Sequence, residues 1–203
     1  TGPNTGGMGA YSPANIINKN LEKKIINKIV KPTLEALKRK NHPYTGFLYV
    51  GLMIKNNEPY LIEYNVRMGD PECQVIMPRL KTDLVKLLRL STENKLSRIK
   101  IEWKKDKCMA IVICSKGYPN KPIIGKKINL MRIGVIKKSF IFHAGTKIRN
   151  GLIFSNGGRV LNIAVLGSSF SKIRNKIFKI IKAINWRFGF FRKDIGWRVI
   201  KKK

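Results

Sequence analysis

Three side chains suited to phosphate chemistry occur at alternate positions, Glu63, Asn65 and Arg67, directly after the apolar run 60–62. That run predicts a β-strand, and because side chains alternate between the faces of a strand, the three polar groups should share one face. Carboxylate and amide oxygens are ligands for Mg²⁺ or Mn²⁺, and a guanidinium can bind a phosphoryl oxygen. The pattern suggests phosphoryl transfer, with a solvated strand face as the alternative. The opposite face, predicted to be the core side, carries Ile62, Tyr64 and Val66.

The segment that follows favours the functional interpretation. Gly69 permits a tight turn, and Pro71 restricts the backbone and lacks a hydrogen-bond donor. Asp70 and Glu72 should therefore be held on a stiff loop next to the polar row. The chain has only 11 acidic residues, yet three of them lie between positions 63 and 72. Such clustering indicates a site rather than an ordinary surface loop.

The chain is strongly basic, with 42 Lys and Arg residues against 11 Asp and Glu and a formal net charge of +31 over 203 residues. This balance is typical of proteins that bind nucleic acid or anionic membranes. Here the basic residues are scattered, apart from the run 201–203, and Lys, Asn and Ile, which AT-rich codons encode, are unusually frequent. Codon bias explains the charge, and we expect no specific nucleic-acid partner.

The cysteines and the apolar runs indicate a cytoplasmic location. Cys73, Cys108 and Cys114 are odd in number and lack a C-x-x-C spacing, so neither a disulfide framework nor a zinc site is predicted. We recognise no signal-peptide pattern, and the apolar runs are too short to cross a bilayer. No membrane partner is expected.

Hydrophobic spacing predicts helices and strands, an α+β fold, in two regions, 1–92 and 93–203. The elements predicted in the first region are a helix over about 18–40 interrupted at Pro32, strands over 47–55 and 59–66 joined by a turn at Asn56-Asn57, and a helix over 83–90 capped by Thr82. The polar residues 91–100 mark the boundary. The second region is predicted to be β-rich, with strands over 110–114, 140–144 and 160–166 and a terminal helix over 171–183.

Two other features are weaker candidates for function. The glycines at positions 6, 7 and 9 could bring backbone N–H groups close to an anion, although the loop lacks the Gly-Lys-Ser/Thr of a Walker loop and a flexible loop is the alternative. Because a domain rarely begins on such a loop, we expect that the sequence starts partway through a longer protein. His143 could be catalytic, but a hydrogen-bonded strand histidine is the more common case.

Five segments of the chain carry recognisable motifs. The first is G-P-N-T-G-G-M-G-A-Y-S-P at 2–13, and the second runs from Y-T-G-F-L-Y at 44–49 through E-Y-N at 63–65 to G-D-P-E at 69–72. The others are F-H-A-G-T at 142–146, N-G-G-R-V at 156–160 and R-K-D-I-G-W-R at 192–198. Together these motifs resemble the phosphoribosylamine–glycine ligase family, also called glycinamide ribonucleotide synthetases, and they follow the family's order over nearly the whole chain.

The resemblance implies an ATP-grasp ligase of purine biosynthesis, monomeric when complete. Such an enzyme phosphorylates the carboxylate of glycine with ATP, and 5-phosphoribosylamine then attacks the glycyl phosphate to give glycinamide ribonucleotide, ADP and phosphate. The family positions that match Glu63 and Asn65 hold Mg²⁺ or Mn²⁺, and Arg67 would be the catalytic residue that neutralises the transferring phosphoryl group. The implied substrate-binding residues are Gly6, Gly7, Met8, Gly9 and Asp70.

The resemblance also implies that part of the enzyme lies outside this chain. Residues 1–92 resemble the second half of an ATP-grasp module, and 93–203 resemble the carboxy-terminal domain, whereas the segments that grip adenine come earlier in the family. The chain alone is therefore expected to be inactive. The alternatives are another ATP-grasp carboxylate–amine ligase, an inactive truncated product, and a basic nucleic-acid-binding protein. Scattered charge and the lack of an aromatic-basic motif disfavour the last.

Overall fold

The computed structural model describes residue 3 and residues 5–131 and 133–200, in two compact units. Unit 1 comprises Thr1–Pro13, Asp70–Arg79 and Lys104–Lys203, and unit 2 comprises Ala14–Gly69 and Leu80–Trp103. Gly2 and Asn4 of the first motif and the basic run 201–203 lie outside the described residues. The domain boundary expected after residue 92 stays a prediction.

Helices and antiparallel strands occur in mixed order along the chain. The helices are α1 (Lys19–Ile25), α2 (Lys31–Arg39), α3 (Cys73–Ile76), α4 (Leu84–Thr92) and α5 (Phe170–Ile184), with a π-helical turn at Ile26–Val30 and 3₁₀ turns at Met77–Arg79 and Leu96–Arg98. The strands are β1 (Gly9–Ser12), β2 (Tyr49–Lys55), β3 (Glu58–Asn65), β4 (Lys107–Ser115), β5 (Lys127–Ile128), β6 (Ser139–His143), β7 (Thr146–Arg149), β8 (Leu152–Ser155), β9 (Arg159–Gly167) and β10 (Gly189–Phe190). The pairings of these strands are antiparallel, which confirms the predicted α+β class.

Unit 1 is organised around a five-stranded sheet with the order β1-β4-β9-β6, in which β10 also pairs with β4. Its central strands β4 and β9 are apolar along most of their length, with buried Asn162 inside β9, because both faces of the sheet are covered. One face packs on α5, whose buried stripe includes Ile173 and Ile177, and the other contacts Val75 of α3. The helix predicted over 171–183 is confirmed as α5. A smaller sheet has the order β5-β8-β7.

Unit 2 contains the helical run from α1 to α2 and the β2–β3 hairpin. Asn18 begins the run, since its side-chain oxygen accepts a hydrogen bond from the backbone N–H of Leu21 at 2.8 Å. The chain stays helical through Pro32, and the α-helical pattern changes before it, at the π-helical turn Ile26–Val30; α2 begins at Lys31 as a second segment with Pro32 in its first turn. Lysines of the helical run pair with Glu58 at the start of β3; Lys28 Nζ lies 2.9 Å from its Oε2.

The turns and caps of unit 2 follow local chemistry. Asn56 and Asn57 have φ of 51° and 58°, as a two-residue hairpin turn requires, which confirms the predicted turn. The predicted cap of α4 is wrong by one residue. Asp83 is the cap, accepting from the backbone N–H of Lys86 at 2.7 Å, whereas the hydroxyl of Thr82 accepts from the backbone N–H of Glu102. Over the described ranges, we find no helix both long and apolar enough to cross a membrane.

Candidate active site

The polar row lies at the end of β3, in unit 2. Glu63 and Asn65 share a face of the strand, and the Asn65 amide Nδ2 donates to Glu63 Oε1 at 3.1 Å. Arg67 lies beyond the end of the strand, and its Nη1 donates to the carbonyl of Met68 at 3.0 Å. The structure therefore brings the carboxylate and the amide together and places the arginine in the following turn.

A β-bulge determines which side chains accompany Glu63. Ile62 is the extra residue, because its neighbours Leu61 and Glu63 lie opposite two consecutive residues of β2. The bulge shifts the alternation by one position. As a result Tyr60 lies on the face of Glu63, and Leu61 lies with Tyr64 on the other face.

The predicted core face of β3 is wrong. Ile62 and Val66 are 65% and 76% exposed, because the bulge turns the first out of register and the strand ends before the second. Tyr64 is half-buried, and its hydroxyl contacts Thr33 Oγ1 of α2. Strict alternation along a regular strand could not foresee this arrangement.

Gly51 leaves the space that the Glu63 side chain occupies. The two residues are opposite each other in the hairpin, and a Cβ built at position 51 would lie 2.9 Å from Glu63 Cγ. Gly51 was not predicted to belong to the site, although a glycine within a strand often marks the close approach of another group.

The Glu63–Asn65 pair fits a hard divalent cation. The two side chains offer a carboxylate and an amide oxygen from neighbouring positions on an accessible face, and Mg²⁺ and Mn²⁺ bind such oxygens. Within the described ranges, no group of three or more His, Cys, Asp and Glu side chains is assembled for a metal. A cation held here would therefore take most of its ligands from water and from phosphate oxygens.

The glycine loop, residues 6–9, lies in unit 1 and packs against the Asp70–Pro71 segment. A Cβ at Gly7 would lie 2.4 Å from Pro71 Cδ and 2.9 Å from the Asp70 carbonyl oxygen, so only glycine allows this contact. Met8 is buried against Val112 of β4. The loop then continues into β1. The structure thus brings together the residues that the resemblance assigns to substrate.

Arg159, the first residue of β9, connects these two segments. Its Nη1 donates to the carbonyl oxygens of Gly7 and Asp70, at 3.2 and 2.8 Å, and its Nη2 lies 2.9 Å from Asp70 Oδ2. Tyr118 also holds the loop, since its hydroxyl accepts a hydrogen bond from the backbone N–H of Gly6 at 2.9 Å. Arg159 lies in the N-G-G-R-V motif, but neither its residue type nor its spacing in the sequence predicts this role.

The Asp70 carboxylate also accepts a hydrogen bond from α3. Gln74 Nε2 donates to Asp70 Oδ1 at 2.9 Å, while Gln74 Oε1 is buried without a hydrogen-bond partner. Burial raises the pKa of the Cys73 thiol, and the negative charge of Asp70 adds to that effect. His143, the other candidate, is exposed, and its Nδ1 lies 3.1 Å from Thr146 Oγ1, as in an ordinary strand histidine.

Comparison with known proteins identifies the family. Two family models match, Phosphoribosylglycinamide synthetase, ATP-grasp (A) domain, over residues 1–73 and the C domain of the same synthetase over residues 108–198. A phosphoribosylamine–glycine ligase from Brucella melitensis is 39% identical over 204 residues and aligns with the whole chain. The chain belongs to the phosphoribosylamine–glycine ligase family. The resemblance read from the motifs is confirmed.

Two other members of the ligase family are similar to this chain over nearly its whole length. The chloroplastic phosphoribosylamine–glycine ligase of Arabidopsis thaliana is 42% identical over 208 residues, covering all of this chain and 39% of the relative. A crystal structure of the ligase from Thermotoga maritima superposes with a TM-score of 0.83 at 32% identity, over 96% of this chain and 47% of that one. The chain spans about half the length of the curated relatives it matches, 48% for the Brucella ligase.

Proposed function

We propose that this chain forms part of a phosphoribosylamine–glycine ligase, an ATP-dependent carbon–nitrogen ligase that joins glycine to 5-phosphoribosylamine in purine biosynthesis. The observation that carries the proposal is the Glu63–Asn65 pair, placed on one accessible strand face in a chain that aligns along its whole length with enzymes of that name. The proposal includes a cytoplasmic, monomeric enzyme with no specific nucleic-acid partner.

The reaction requires activation of a carboxylate. An oxygen of glycine attacks the γ-phosphorus of ATP, ADP leaves, and a glycyl phosphate results. The amine of 5-phosphoribosylamine then attacks the carbonyl carbon, the bond from that carbon to the phosphate oxygen breaks, and the nitrogen loses a proton. No nucleophilic side chain is needed, so the protein contributes positioning and charge stabilisation.

Glu63 and Asn65 would hold the metal, and Arg67 would serve as the catalytic cation. A bound Mg²⁺ or Mn²⁺ would neutralise charge on the phosphate oxygens. The Arg67 guanidinium is exposed, and its hydrogen bond to the Met68 carbonyl uses only one of its five donors. It can therefore turn toward a phosphoryl group and stabilise the charge that develops there.

The glycine loop and Asp70 would bind the substrate side. Gly6, Gly7, Met8 and Gly9 present backbone groups where side chains are small or buried, and Asp70 supplies a carboxylate suited to an amine. The alternative, another ATP-grasp carboxylate–amine ligase, is disfavoured by the T-G-G-M-G sequence of this loop.

The experiment compares this chain alone with the chain joined to the amino-terminal segment of a close relative. The assay is ADP release that depends on both glycine and 5-phosphoribosylamine. We expect turnover by the joined protein and none by the 203-residue chain, because it resembles only one side of an ATP-grasp cleft. A joined protein that folds, binds ATP and releases no ADP with these substrates would refute the proposal. Robust turnover by the 203-residue chain alone would refute the expectation that it lacks part of the catalytic site.

A further inference from the structure

We propose that Arg159 is a positioning residue that holds the glycine loop and Asp70 in one fixed arrangement. The inference rests on the proposed ligase function only in calling these segments the substrate side. The arrangement itself is a property of unit 1. A residue at the start of β9 would thereby set the geometry of two segments that lie 152 and 89 positions away in the sequence.

The guanidinium is committed to the protein. Its Nη1 serves the carbonyl oxygens of Gly7 and Asp70, and its Nη2 serves the Asp70 carboxylate. A planar fork with fixed donors suits such a three-way contact, which the single ammonium of lysine cannot reproduce. Because its terminal nitrogens are already engaged, Arg159 acts on substrate through the loop and Asp70 rather than by direct contact.

Arg159 and its contacts to Gly7 and Asp70, here called the clamp, stand on a rigid strand, β9. The Arg159 side chain is 26% exposed, less than Asp70 at 42%, and the following residues of β9 are buried in the central sheet. A surface ion pair between two mobile side chains adds little to stability, because ordering both side chains costs conformational entropy. An ion pair that is anchored on a buried strand and bonded to backbone carbonyls loses less conformational entropy when it forms. The arginine is therefore built to fix a loop.

Tyr118 gives the loop a second contact beside Arg159. Its hydroxyl accepts from Gly6 N–H, and its ring lies on Gly158, where a Cβ would approach Cδ2 to 2.2 Å. Ser115 holds the neighbouring glycines 157 and 158 in place. Its backbone N–H donates to the Gly158 carbonyl at 2.8 Å, and its Oγ donates to the Gly157 carbonyl at 2.9 Å. The N-G-G-R-V motif thus supports both contacts to the loop.

The decisive experiment is hydrogen exchange of the 203-residue chain. In Arg159→Ala, we expect backbone amides of residues 6–8 and 70 to exchange about tenfold faster or more, the effect of losing hydrogen bonds to a charged group. The amides of residues 161–166 in β9 should keep their rates. Arg149→Ala, at an exposed arginine of β7, is the matched control and should change neither set. Unchanged exchange at the loop in a folded Arg159→Ala protein would overturn the proposal.

Two milder variants keep the test decisive if Arg159→Ala does not fold. Arg159→Lys retains the charge and loses the fork, and Tyr118→Phe removes only the hydroxyl, so both should accelerate exchange at the loop with β9 intact. In the joined enzyme, Arg159→Lys should raise KM for glycine or 5-phosphoribosylamine and leave KM for ATP unchanged. Equal rises for all three substrates would overturn the positioning role. A joined enzyme without ligation refutes the proposed function instead, and loop exchange still decides the role of Arg159.

Discussion

Unit 1 and unit 2 differ in how each holds the candidate functional residues that it contains. In the described part of the chain, the buried apolar residues lie in unit 1 except for Leu21 and Leu90. The glycine loop, Asp70 and Arg159 stand on that core. The row of Glu63 and Asn65 stands on a two-stranded hairpin in unit 2.

It follows that the candidate residues of unit 1 and those of unit 2 have different local stabilities. In unit 1 the glycine loop, Asp70 and Arg159 are held by a sheet whose central strands are buried on both faces. In unit 2 the hairpin depends on a few side-chain contacts to the helices, such as Tyr64 with Thr33 and Glu58 with Lys28. Segments with few buried apolar contacts open at lower free energy than core strands.

The largest expected effect is a difference in stability between the same type of substitution, isoleucine to alanine, made once in each unit. Ile163→Ala in β9 removes a fully buried side chain and should lower the free energy of unfolding of unit 1 by about 2–5 kcal/mol. Ile62→Ala in β3, at a side chain that is 65% exposed, should change stability by no more than about 0.5 kcal/mol. Urea unfolding followed by circular dichroism measures both. Equal losses would show that the hairpin is packed as tightly as the core.

A second prediction concerns native-state hydrogen exchange. Amides of β3 should exchange about 100-fold faster than those of β9, which corresponds to an opening free energy lower by about 2.7 kcal/mol. Mass spectrometry of peptides covering 58–65 and 159–167 gives the comparison directly. Comparable protection in the two peptides would remove the distinction between the units.

Much of the fold could be predicted from local signals, and the misses have physical causes. Long apolar runs located β4 and β9, the apolar stripe located α5, and Asn56-Asn57 located the hairpin turn. The short strands β1, β7 and β8 were missed, since four residues carry too little periodicity and depend on pairing with distant segments.

The site was predictable only in part. The spacing of Glu63 and Asn65 located the row, but the bulge at Ile62 depends on the register with β2, which the sequence does not state. Arg159 was missed because its role depends on contacts with segments 89 and 152 positions away. Only the family motif around it gave a signal.

A third prediction uses alkaline pH to weaken unit 1 selectively. Burial raises the pKa of the Cys108 thiol to about 12 and that of Cys114 to about 11, from an ordinary value of 9.0, and the three cysteines lie in unit 1. A raised pKa gives stability that is complete below pH 9 and is lost as the pH rises toward 12. Thermal unfolding between pH 8 and 11 should show this loss, and Cys108→Ala should make the pH dependence shallower. If stability depended on pH as steeply in Cys108→Ala as in the unchanged chain, the buried Cys108 thiol would not be a cause of the loss.

The smallest effect is expected at the surface of unit 2. Hydrogen bonds from Lys24 and Lys28 lower the pKa of Glu58, so its contribution is present above its ordinary value of 4.5 and is lost as the pH falls below it. Glu58→Gln should accelerate exchange in the hairpin only a few-fold at pH 7, as for exposed pairs in general. Glu102→Gln, which breaks an exposed pair with Lys81, is the control and should leave the hairpin unaffected. A large acceleration in Glu58→Gln would mean that this pair dominates the hairpin.

The most direct test of the account is steady-state kinetics of the joined ligase with Glu63→Gln and Asn65→Ala. Glu63→Gln replaces the charged carboxylate proposed as a cation ligand with a neutral amide, and Asn65→Ala removes the amide oxygen altogether. For each variant kcat should fall by about 100-fold or more, the scale for losing one preorganised electrostatic group. Affinity for glycine should change little, because the glycine loop and Asp70 belong to unit 1. Near-normal kcat in either variant at ordinary Mg²⁺ concentrations would contradict the assignment of the polar row to phosphoryl transfer.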